Sequence, residues 1–396
     1  MSFVFYSPSR VVGGAEHLFF RLYTLYKHQG YECKVVDYAD GAFSKLGVPD
    51  EDIVVISSIR QAFQVDCDYF VLPPNMAYEA LCNAVMQDRT KIIFWSLHPY
   101  NCIPILPLAF YKKLDASSFL KRMIDLFVLR KQINYARALF TDASKKSALI
   151  FMDGENYSSG QRFLQSPVDR KFLPLPSPVI FETRAQRHTR PTVLNFFWVG
   201  RLVDFKIGSL NRLIQDLDTW SQGQQLPITL HVVGSGDAEG QMLSAAHFKI
   251  EKHGYLDNQA LHKVLATTAD AVFSQGTSVL ESAAIGLPSF IVMPTYEPVG
   301  NECSYMPLSE TRNFDLGSFS ATEGLRTFAE LSEGRYFDGT YGAACRAYVL
   351  EHHDLLQVAA QLLLMAQHSN FLFSDVRSAY RQRFLSRYVF SALKGK

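Results

Sequence analysis

Several features that would place the chain of 396 residues in a specialised class are missing from it. The formal net charge is only +1, whereas dedicated nucleic-acid binders carry a strong basic excess, so we expect no nucleic-acid partner. The apolar stretches are broken by proline or charge before they reach the ~20 residues that a membrane-spanning helix needs. The cysteines form no Cys-x-x-Cys pair, which argues against a disulfide framework or a zinc site. With no secretory signal at the N-terminus, these absences predict a cytoplasmic protein.

What is present indicates a globular α/β protein of two or three domains. Hydrophobic residues make up 48% of the chain and aromatic residues 13%, which excludes a disordered protein. Strand-like and helix-like segments alternate in two rounds, which predicts two doubly wound parallel sheets. The predicted strands are 3–6, 33–36, 53–57, 69–72, 92–95 and 138–141, then 193–199, 228–233, 252–255, 271–274 and 289–293. A polar, proline-rich stretch from 156 to 191 separates the rounds and predicts a linker.

The stretch that opens the second round carries the strongest functional signal. Residues 193–199 form an apolar run typical of a strand covered on both faces, and Gly200 ends it. Arg201 and Lys206 follow, at the strand's carboxyl end, where open α/β sheets bind ligands. An arginine that grips phosphate bidentately, beside a lysine acting as a point charge, suits a diphosphate. The alternative is a solvated loop with two ordinary cations.

Two further predicted loops lie at the same sheet edge. Gly234 and Gly236 form a glycine-rich turn through which backbone could approach a ligand closely. The next glycine, Gly240, departs from the dinucleotide fingerprint, so a Rossmann oxidoreductase is disfavoured. Gly254 and Tyr255 lie where a backbone edge could read a base, with a plain turn as the simpler interpretation.

A fourth loop opens a helix. Gly276, Thr277 and Ser278 could present free N–H groups and the positive end of the helix dipole to an anion. Glu281 could accept hydrogen bonds from sugar hydroxyls. The alternative is a capping box, in which Ser278 caps the helix and Glu281 reaches back to the cap. The two roles are compatible.

The order and spacing of these loops over residues 195–293 resemble the donor half of retaining GT-B glycosyltransferases, the large group 4 family of nucleotide-sugar transferases. That signature runs Gly-Arg-Leu, then Lys, then a Val-Gly-x-Gly turn, a short x-Gly-x strand, and a Glu before Gly-x-Pro. The resemblance implies an α/β GT-B fold, with two Rossmann-like doubly wound domains facing a cleft. It also implies that Arg201 and Lys206 hold the donor diphosphate as catalytic groups and that Glu281 binds the nucleotide ribose.

By the same resemblance, residues 1–185 form an acceptor domain, residues 190–370 form a donor domain, and a final helix, 375–396, packs back on the first. Gly13 and Gly14 resemble the family's N-terminal glycine loop, with ordinary helix-start glycines as the alternative. His98 follows a strand where the family often has a histidine near a sugar, or it is structural. One position departs from the family: Phe273 stands where a second glutamate usually contacts the transferred sugar.

The implied reaction is sugar transfer, with retention, from a nucleoside diphosphate sugar to a glycan or lipid-linked acceptor. It needs no metal and no other cofactor, and it suits bacterial surface polysaccharide or lipopolysaccharide synthesis. The basic segment 104–137 could touch an anionic membrane, on the inner face of the plasma membrane, or form the solvated face of a core helix. Two rivals stay open: a nucleotide-sugar 2-epimerase of this fold, and a non-catalytic nucleotide-sugar-binding protein.

Overall fold

The computed structural model describes residues 1–105, 118–177, 192–319, 323–334 and 336–376. The chain divides into two compact units. The first contains Met1–Pro174 and the chain from Ala359 onward, and the second contains Leu175–Val358. Residues 178–191 of the predicted linker and residues 377–396 of the predicted final helix lie outside the described residues.

The first unit is built on a parallel sheet of six strands in the order β3-β2-β1-β5-β7-β8, with β4 and β6 paired separately. Its strands are β1 Ser2–Tyr6, β2 Glu32–Asp37, β3 Ile53–Val55, β4 Phe63–Gln64, β5 Tyr69–Leu72, β6 Ala84–Val85, β7 Lys91–Ser96 and β8 Leu149–Phe151. Its helices are Gly14–His28, Ala42–Lys45, Ala77–Asn83, Phe119–Phe127, Arg130–Lys145, Gly154–Leu164 and Phe373–Val376. The returning chain joins this sheet, because the N–H of Ile92 donates to the carbonyl of Phe371 over 3.0 Å.

The second unit repeats the plan, with the strand order β11-β10-β9-β12-β13-β14. Its strands are β9 Leu194–Val199, β10 Ile228–Val233, β11 Lys249–Gly254, β12 Ala271–Ser274, β13 Ser289–Val292 and β14 Tyr305–Pro307. Its helices are Asp204–Ser221, Asn258–Thr268, Thr277–Ala284, Phe328–Glu333 and Gly339–His352, while Leu355–His368 begins here and ends in the first unit. Among the described strands of this sheet, only β14 runs antiparallel to its neighbour.

Both sheets reverse their strand order at one point, between β1 and β5 in the first unit and between β9 and β12 in the second. Such a reversal leaves a crevice beyond the carboxyl ends of the two strands, and doubly wound proteins bind ligands there. Helices cover both sheet faces, so central strands such as β10 and β12 are buried along their whole length. The predicted doubly wound α/β class is confirmed.

The predicted strand 138–141 is wrong, because these residues lie inside the helix Arg130–Lys145. The buried side chains of that helix include Ala136, Leu139, Phe140 and Ala143, which follow helical periodicity. The strand of this region is β8, which comes after the helix.

The chain does not become irregular at residue 156 either. It forms the helix Gly154–Leu164, whose N-terminus is capped by Asp153 accepting from the N–H of Asn156 over 2.8 Å. This helix is mostly polar, so its apolar pattern is weak, and the capping aspartate is the sequence signal for its start.

Candidate functional site

The loops after β9 and β10 are hydrogen-bonded to each other at the carboxyl edge of the second sheet. The N–H of Gly200 donates to the carbonyl of Val233 over 3.0 Å. The N–H of Leu202 donates to the carbonyl of Ser235, also over 3.0 Å. These bonds fix the backbone on both sides of Arg201.

Glycine makes this docking possible. Gly234 has a φ of +136°, and a Cβ added to it would lie 2.0 Å from the carbonyl oxygen of Gly200. A Cβ on Gly236 would lie 2.1 Å from the carbonyl oxygen of Leu202. Real side chains never approach backbone so closely, so the glycines admit the neighbouring loop. The sequence pattern suggested approach to a ligand, and the structure shows approach to protein backbone.

The Gly254 and Tyr255 turn joins the same assembly. The carbonyl of Gly254 accepts from the N–H of Gly234 over 2.7 Å, and Gly254 adopts a φ of +64°. The Tyr255 side chain is 79% exposed. The turn therefore supports the glycine-rich loop from one side and offers an aromatic ring to solvent on the other.

Lys206 lies in the first turn of the helix Asp204–Ser221, so its predicted loop position is wrong. Burial, and to a smaller extent the charge of Arg201, lower the pKa of its ammonium from 10.5 to about 8. No carboxylate among the residues that the structure describes forms an ion pair with Lys206 or Arg201. A poorly solvated cation without a counter-ion favours binding of an anion.

Arg201 lies in the loop after β9, and its side chain is exposed. Its charge contributes to the lowered pKa of Lys206, so the two cations are close enough to repel each other. Holding two like charges together costs free energy unless an anion neutralises both. A diphosphate carries enough charge to do so.

Trp198, near the end of β9, is a third candidate that no sequence motif indicated. Its indole Nε1–H is buried and has no hydrogen-bond partner in the described part of the chain. A Cβ added to Gly200 would lie 3.7 Å from both this nitrogen and the Lys206 Nζ. Both donors thus lie near the side of Gly200 on which a Cβ would stand. Ser274, at the end of β12 on the other side of the strand reversal, also has a buried hydroxyl without a partner among the described residues.

The loop after β12 is very short, since only Gln275 and Gly276 precede the helix Thr277–Ala284. Gly276 is the N-cap residue, with a φ of +70°, and no side chain caps the helix. The predicted capping box is therefore wrong: Ser278 lies within the helix, and the half-buried Glu281 lies beyond its first turn. A tight left-handed turn at glycine replaces the extended capping residue.

Phe273 is fully buried and stacks on Phe290, with ring centroids 4.9 Å apart. Its side chain packs in the core and cannot contact a sugar. The loop that follows contains only Gln275 and Gly276, so it supplies no acidic residue that could replace the family's glutamate.

An aromatic cluster lies beside Lys206. The Lys206 Nζ lies 5.9 Å from the centroid of the Phe205 ring, which in turn contacts Tyr296 and Phe319. Tyr296 and Phe319 stack nearly parallel, with centroids 5.3 Å apart, and are 69% and 54% exposed. Exposed stacked rings of this kind suit the apolar face of a sugar or an apolar acceptor chain. Phe205, Tyr296 and Phe319 are far apart in the sequence, so no sequence motif indicated this cluster.

In the first unit, Gly13 and Gly14 begin the helix Gly14–His28 after β1. The N–H of Gly13 donates to Glu16 Oε2 over 3.0 Å, and the Ser7 hydroxyl donates to Glu16 Oε1 over 2.9 Å. This buried network fixes the loop, which supports a structural role for Gly13. A Cβ on Gly14 would meet nothing within 4 Å, so space is open at this position.

His98 follows β7, and the residue as a whole is accessible to solvent although its imidazole is partly buried. The N–H of Tyr100 donates to His98 Nδ1 over 3.2 Å, so the neutral ring carries its proton on Nε2. Partial burial lowers the pKa of His98, which favours this neutral form. The side chain therefore offers an Nε2–H donor.

One group of possible metal ligands occurs in the described residues: His231, Glu251 and His253. Burial lowers the pKa of His231, and a hydrogen bond from Lys249 lowers the pKa of Glu251. The group lies on β10 and β11 rather than on the loops beyond them. The predicted metal-independence of sugar transfer stays a prediction.

Solved structures of glycosyltransferases share this fold. No protein-family model matches the chain, and no curated protein sequence matches it. A lipopolysaccharide outer core galactosyltransferase WaaB in its apo form matches with a TM-score of 0.52 and 11% identity, over 93% of this chain and 100% of that one. A glycosyltransferase from Rickettsia africae ESF-5 matches with a TM-score of 0.51 and 11% identity, over 92% and 97%. The chain has the GT-B fold, as the sequence predicted.

In the described part of the chain, no helix combines the length and the apolar character that crossing a membrane requires.

Proposed function

We propose that the protein is a glycosyltransferase that moves a sugar from a nucleoside diphosphate sugar to a hydroxyl, with retention of configuration. The observation that carries this proposal is Lys206, a poorly solvated ammonium with a pKa lowered to about 8, held beside Arg201 at the strand reversal of the second sheet. Such a pair needs an anion, and the diphosphate of a sugar nucleotide matches its charge and its place in the fold.

In this proposal Arg201 and Lys206 stabilise the leaving diphosphate as the glycosidic bond breaks. Their effect is large because they are fixed before the reaction and Lys206 is shielded from water. The Trp198 Nε1–H supplies a further donor. The uncapped N-terminus of the helix Thr277–Ala284, with Gly276, Thr277 and Ser278, faces developing negative charge with its positive dipole end.

The nucleoside binds through Glu281, whose carboxylate accepts from the ribose hydroxyls, and along the Gly254–Tyr255 turn. His98 donates from Nε2 to a sugar hydroxyl. Charge on the protein alone neutralises the diphosphate, so transfer needs no metal and no other cofactor.

For the acceptor we propose a glycan or a lipid-linked glycan of bacterial surface polysaccharide or lipopolysaccharide synthesis, handled by a cytoplasmic enzyme. The surface of the helix Phe119–Phe127 favours contact with a lipid membrane. Phe119 and Phe127 are 77% and 73% exposed, and the cations of Arg122, Arg130 and Lys131 are exposed nearby. Apolar side chains interleaved with cations favour the interface of anionic bilayers. The preceding part of the basic segment, 106–117, lies outside the described residues.

Flotation with liposomes tests the membrane contact. Wild-type protein should float with phosphatidylglycerol vesicles and much less with neutral ones, and the double variant Phe119→Ser, Phe127→Ser should lose most of this recovery. Leu356→Ser is the control, since Leu356 is a comparably exposed apolar residue on another helix. Equal recovery of wild type and double variant would remove the basis for a peripheral role.

A thermal-shift panel of nucleoside diphosphates and sugar nucleotides tests the central proposal. We expect at least one nucleoside diphosphate to raise the melting temperature of wild type but not of Arg201→Ala. The sugar nucleotide that binds best is then incubated with and without acceptor glycans. Isomerised donor in the absence of acceptor would show an epimerase, and binding without turnover would show a non-catalytic binding protein. Failure of every nucleotide to bind would contradict the proposal as a whole.

A further inference from the structure

A second polar cluster lies on β10 and β11 of the second unit. The Nδ1 of His231 lies 2.9 Å from the Nε2 of His253 and 3.3 Å from a carboxylate oxygen of Glu251. The ligand atoms of all three residues lie within 4.8 Å of one another. Two imidazole nitrogens and one carboxylate oxygen are the donors that borderline-soft divalent ions prefer.

Strand pairing and one irregularity bring these residues together. His231 stands directly opposite Glu251 in the parallel register of β10 and β11. The register then shifts, since Val232 pairs with Lys252 and Val233 pairs with Gly254. His253 is the extra residue of this bulge. Bulges re-aim side chains, and here the result is an imidazole directed at His231.

Asn195 sets the protonation of His231. The Asn195 Nδ2 donates to the carbonyl of Val193 over 3.3 Å, which leaves its Oδ1 as an acceptor 3.1 Å from His231 Nε2. Because an oxygen without hydrogen cannot donate, Nε2 must carry the proton. The Nδ1 of this neutral ring then presents a lone pair to His253 and Glu251. The His231 side chain is only 8% exposed, and a fixed outer hydrogen bond of this kind is usual for metal-ligating histidines.

We propose that His231 Nδ1, His253 Nε2 and Glu251 Oε2 bind a divalent transition-metal ion and that Zn²⁺ is the ion that fits best. Zinc–nitrogen bonds of about 2.0–2.1 Å place tetrahedral ligands about 3.3 Å apart, close to the separations of 2.9 and 3.3 Å found here. Lys249 pairs with the other oxygen, Oε1, of Glu251, so this carboxylate binds through one oxygen. Glu251 and His253 are partly exposed, and water takes the fourth position.

The ion would hold an edge strand in place. Among the described strands β11 pairs only with β10, and it ends at Gly254, whose carbonyl accepts from the N–H of Gly234. A metal joining β11 to β10 would stabilise the turn from which Tyr255 projects. The proposal gives the metal this structural role and no part in sugar transfer.

Cobalt binding tests the site, because tetrahedral Co²⁺ gives an intense visible d–d band. Full-length protein stripped with EDTA should develop this band with one Co²⁺ per chain, and added Zn²⁺ should remove it. Glu251→Gln and His253→Gln should each weaken binding at least ~10-fold. His247→Gln is the control, since His247 is an exposed histidine of the same unit that pairs with Asp218, and it should bind like wild type.

Stability gives a second measurement that does not depend on colour. Zn²⁺ should raise the melting temperature of wild type and His247→Gln by a few degrees and leave that of Glu251→Gln unchanged. Glu251→Gln is nearly isosteric at a partly exposed position, so it carries the test if His253→Gln fails to fold. The absence of a d–d band in wild type, or full Co²⁺ binding by Glu251→Gln, would overturn the proposal. Neither result bears on sugar transfer.

Discussion

Replacing Lys206 with methionine should make the protein more stable while it loses its ligand. The drop in the pKa of Lys206 from 10.5 to about 8 corresponds to about 3 kcal/mol of free energy by which folding disfavours the charged lysine. Methionine has a similar length and a similar helix propensity, and it bears no charge. We therefore expect Lys206→Met to raise the free energy of unfolding at pH 7 by about 2–3 kcal/mol.

The pH dependence identifies the cause. Below pH 8 the lysine is protonated in both states, so the folded wild type bears the full destabilisation. Between pH 8 and 10.5 the folded protein releases this proton while the unfolded chain keeps it, so the stability of wild type rises with pH. The advantage of Lys206→Met should accordingly be greatest at pH 7 and small above about pH 10.5.

Urea unfolding at pH 7 and at pH 10.5 measures both effects without adding salt that would screen the charges. Lys263→Met is the matched control, because Lys263 is exposed on the helix Asn258–Thr268, and its unfolding free energy should change by less than about 0.5 kcal/mol at either pH. Isothermal titration with the nucleoside diphosphate found in the panel should show binding by Lys206→Met that is roughly 10- to 100-fold weaker, from loss of one charge-assisted hydrogen bond. A variant less stable than wild type at pH 7, or an advantage that does not change with pH, would refute the reasoning.

Three further predictions concern residues of the second unit. Arg201→Ala should lower kcat/KM roughly 10²- to 10³-fold in a turnover assay. A loss of less than threefold would show that Arg201 does not stabilise the transition state. Gly236→Ala should destabilise the protein by more than about 2 kcal/mol in urea, because its Cβ would meet backbone at 2.1 Å, whereas Gly240→Ala, with nothing within 4 Å, should be neutral. Equal effects of the two substitutions would contradict this account of loop docking. Phe273→Glu should abolish soluble expression, because it would place a carboxylate in the core where an aromatic ring now packs. A folded variant with altered donor preference would instead show that position 273 can contact the sugar.

Much of the fold could be predicted from the sequence because buried parallel strands leave continuous apolar runs. The segments predicted as 228–233 and 271–274 coincide with β10 and β12, which are buried throughout. The prediction failed where the local signal was weak. Residues 138–141 look like a strand in isolation, and only the longer helical stripe around them assigns the helix.

The sequence indicated the two cations of the candidate site but not the residues that position them. The Lys206 helix starts after Val203, which offers no capping side chain, so no sequence signal marked its first turn. The partnerless Nε1–H of Trp198 and the convergence of His231 with His253 depend on packing between strands far apart in sequence. Register and a bulge decide these contacts, and neither can be read from spacing along one strand.

The backbone positions the two cations of the site before any ligand arrives. Hydrogen bonds on both sides of Arg201 fix its loop, and Lys206 extends from the first turn of a helix. Folding therefore bears the free energy of burying the Lys206 ammonium near a second cation, and both effects lower its pKa. A diphosphate that binds there recovers this free energy without ordering new structure. For that reason we expect the protein to gain more stability from nucleoside diphosphates than from nucleosides, and the gain to shrink as pH rises through about 8 and Lys206 loses its charge.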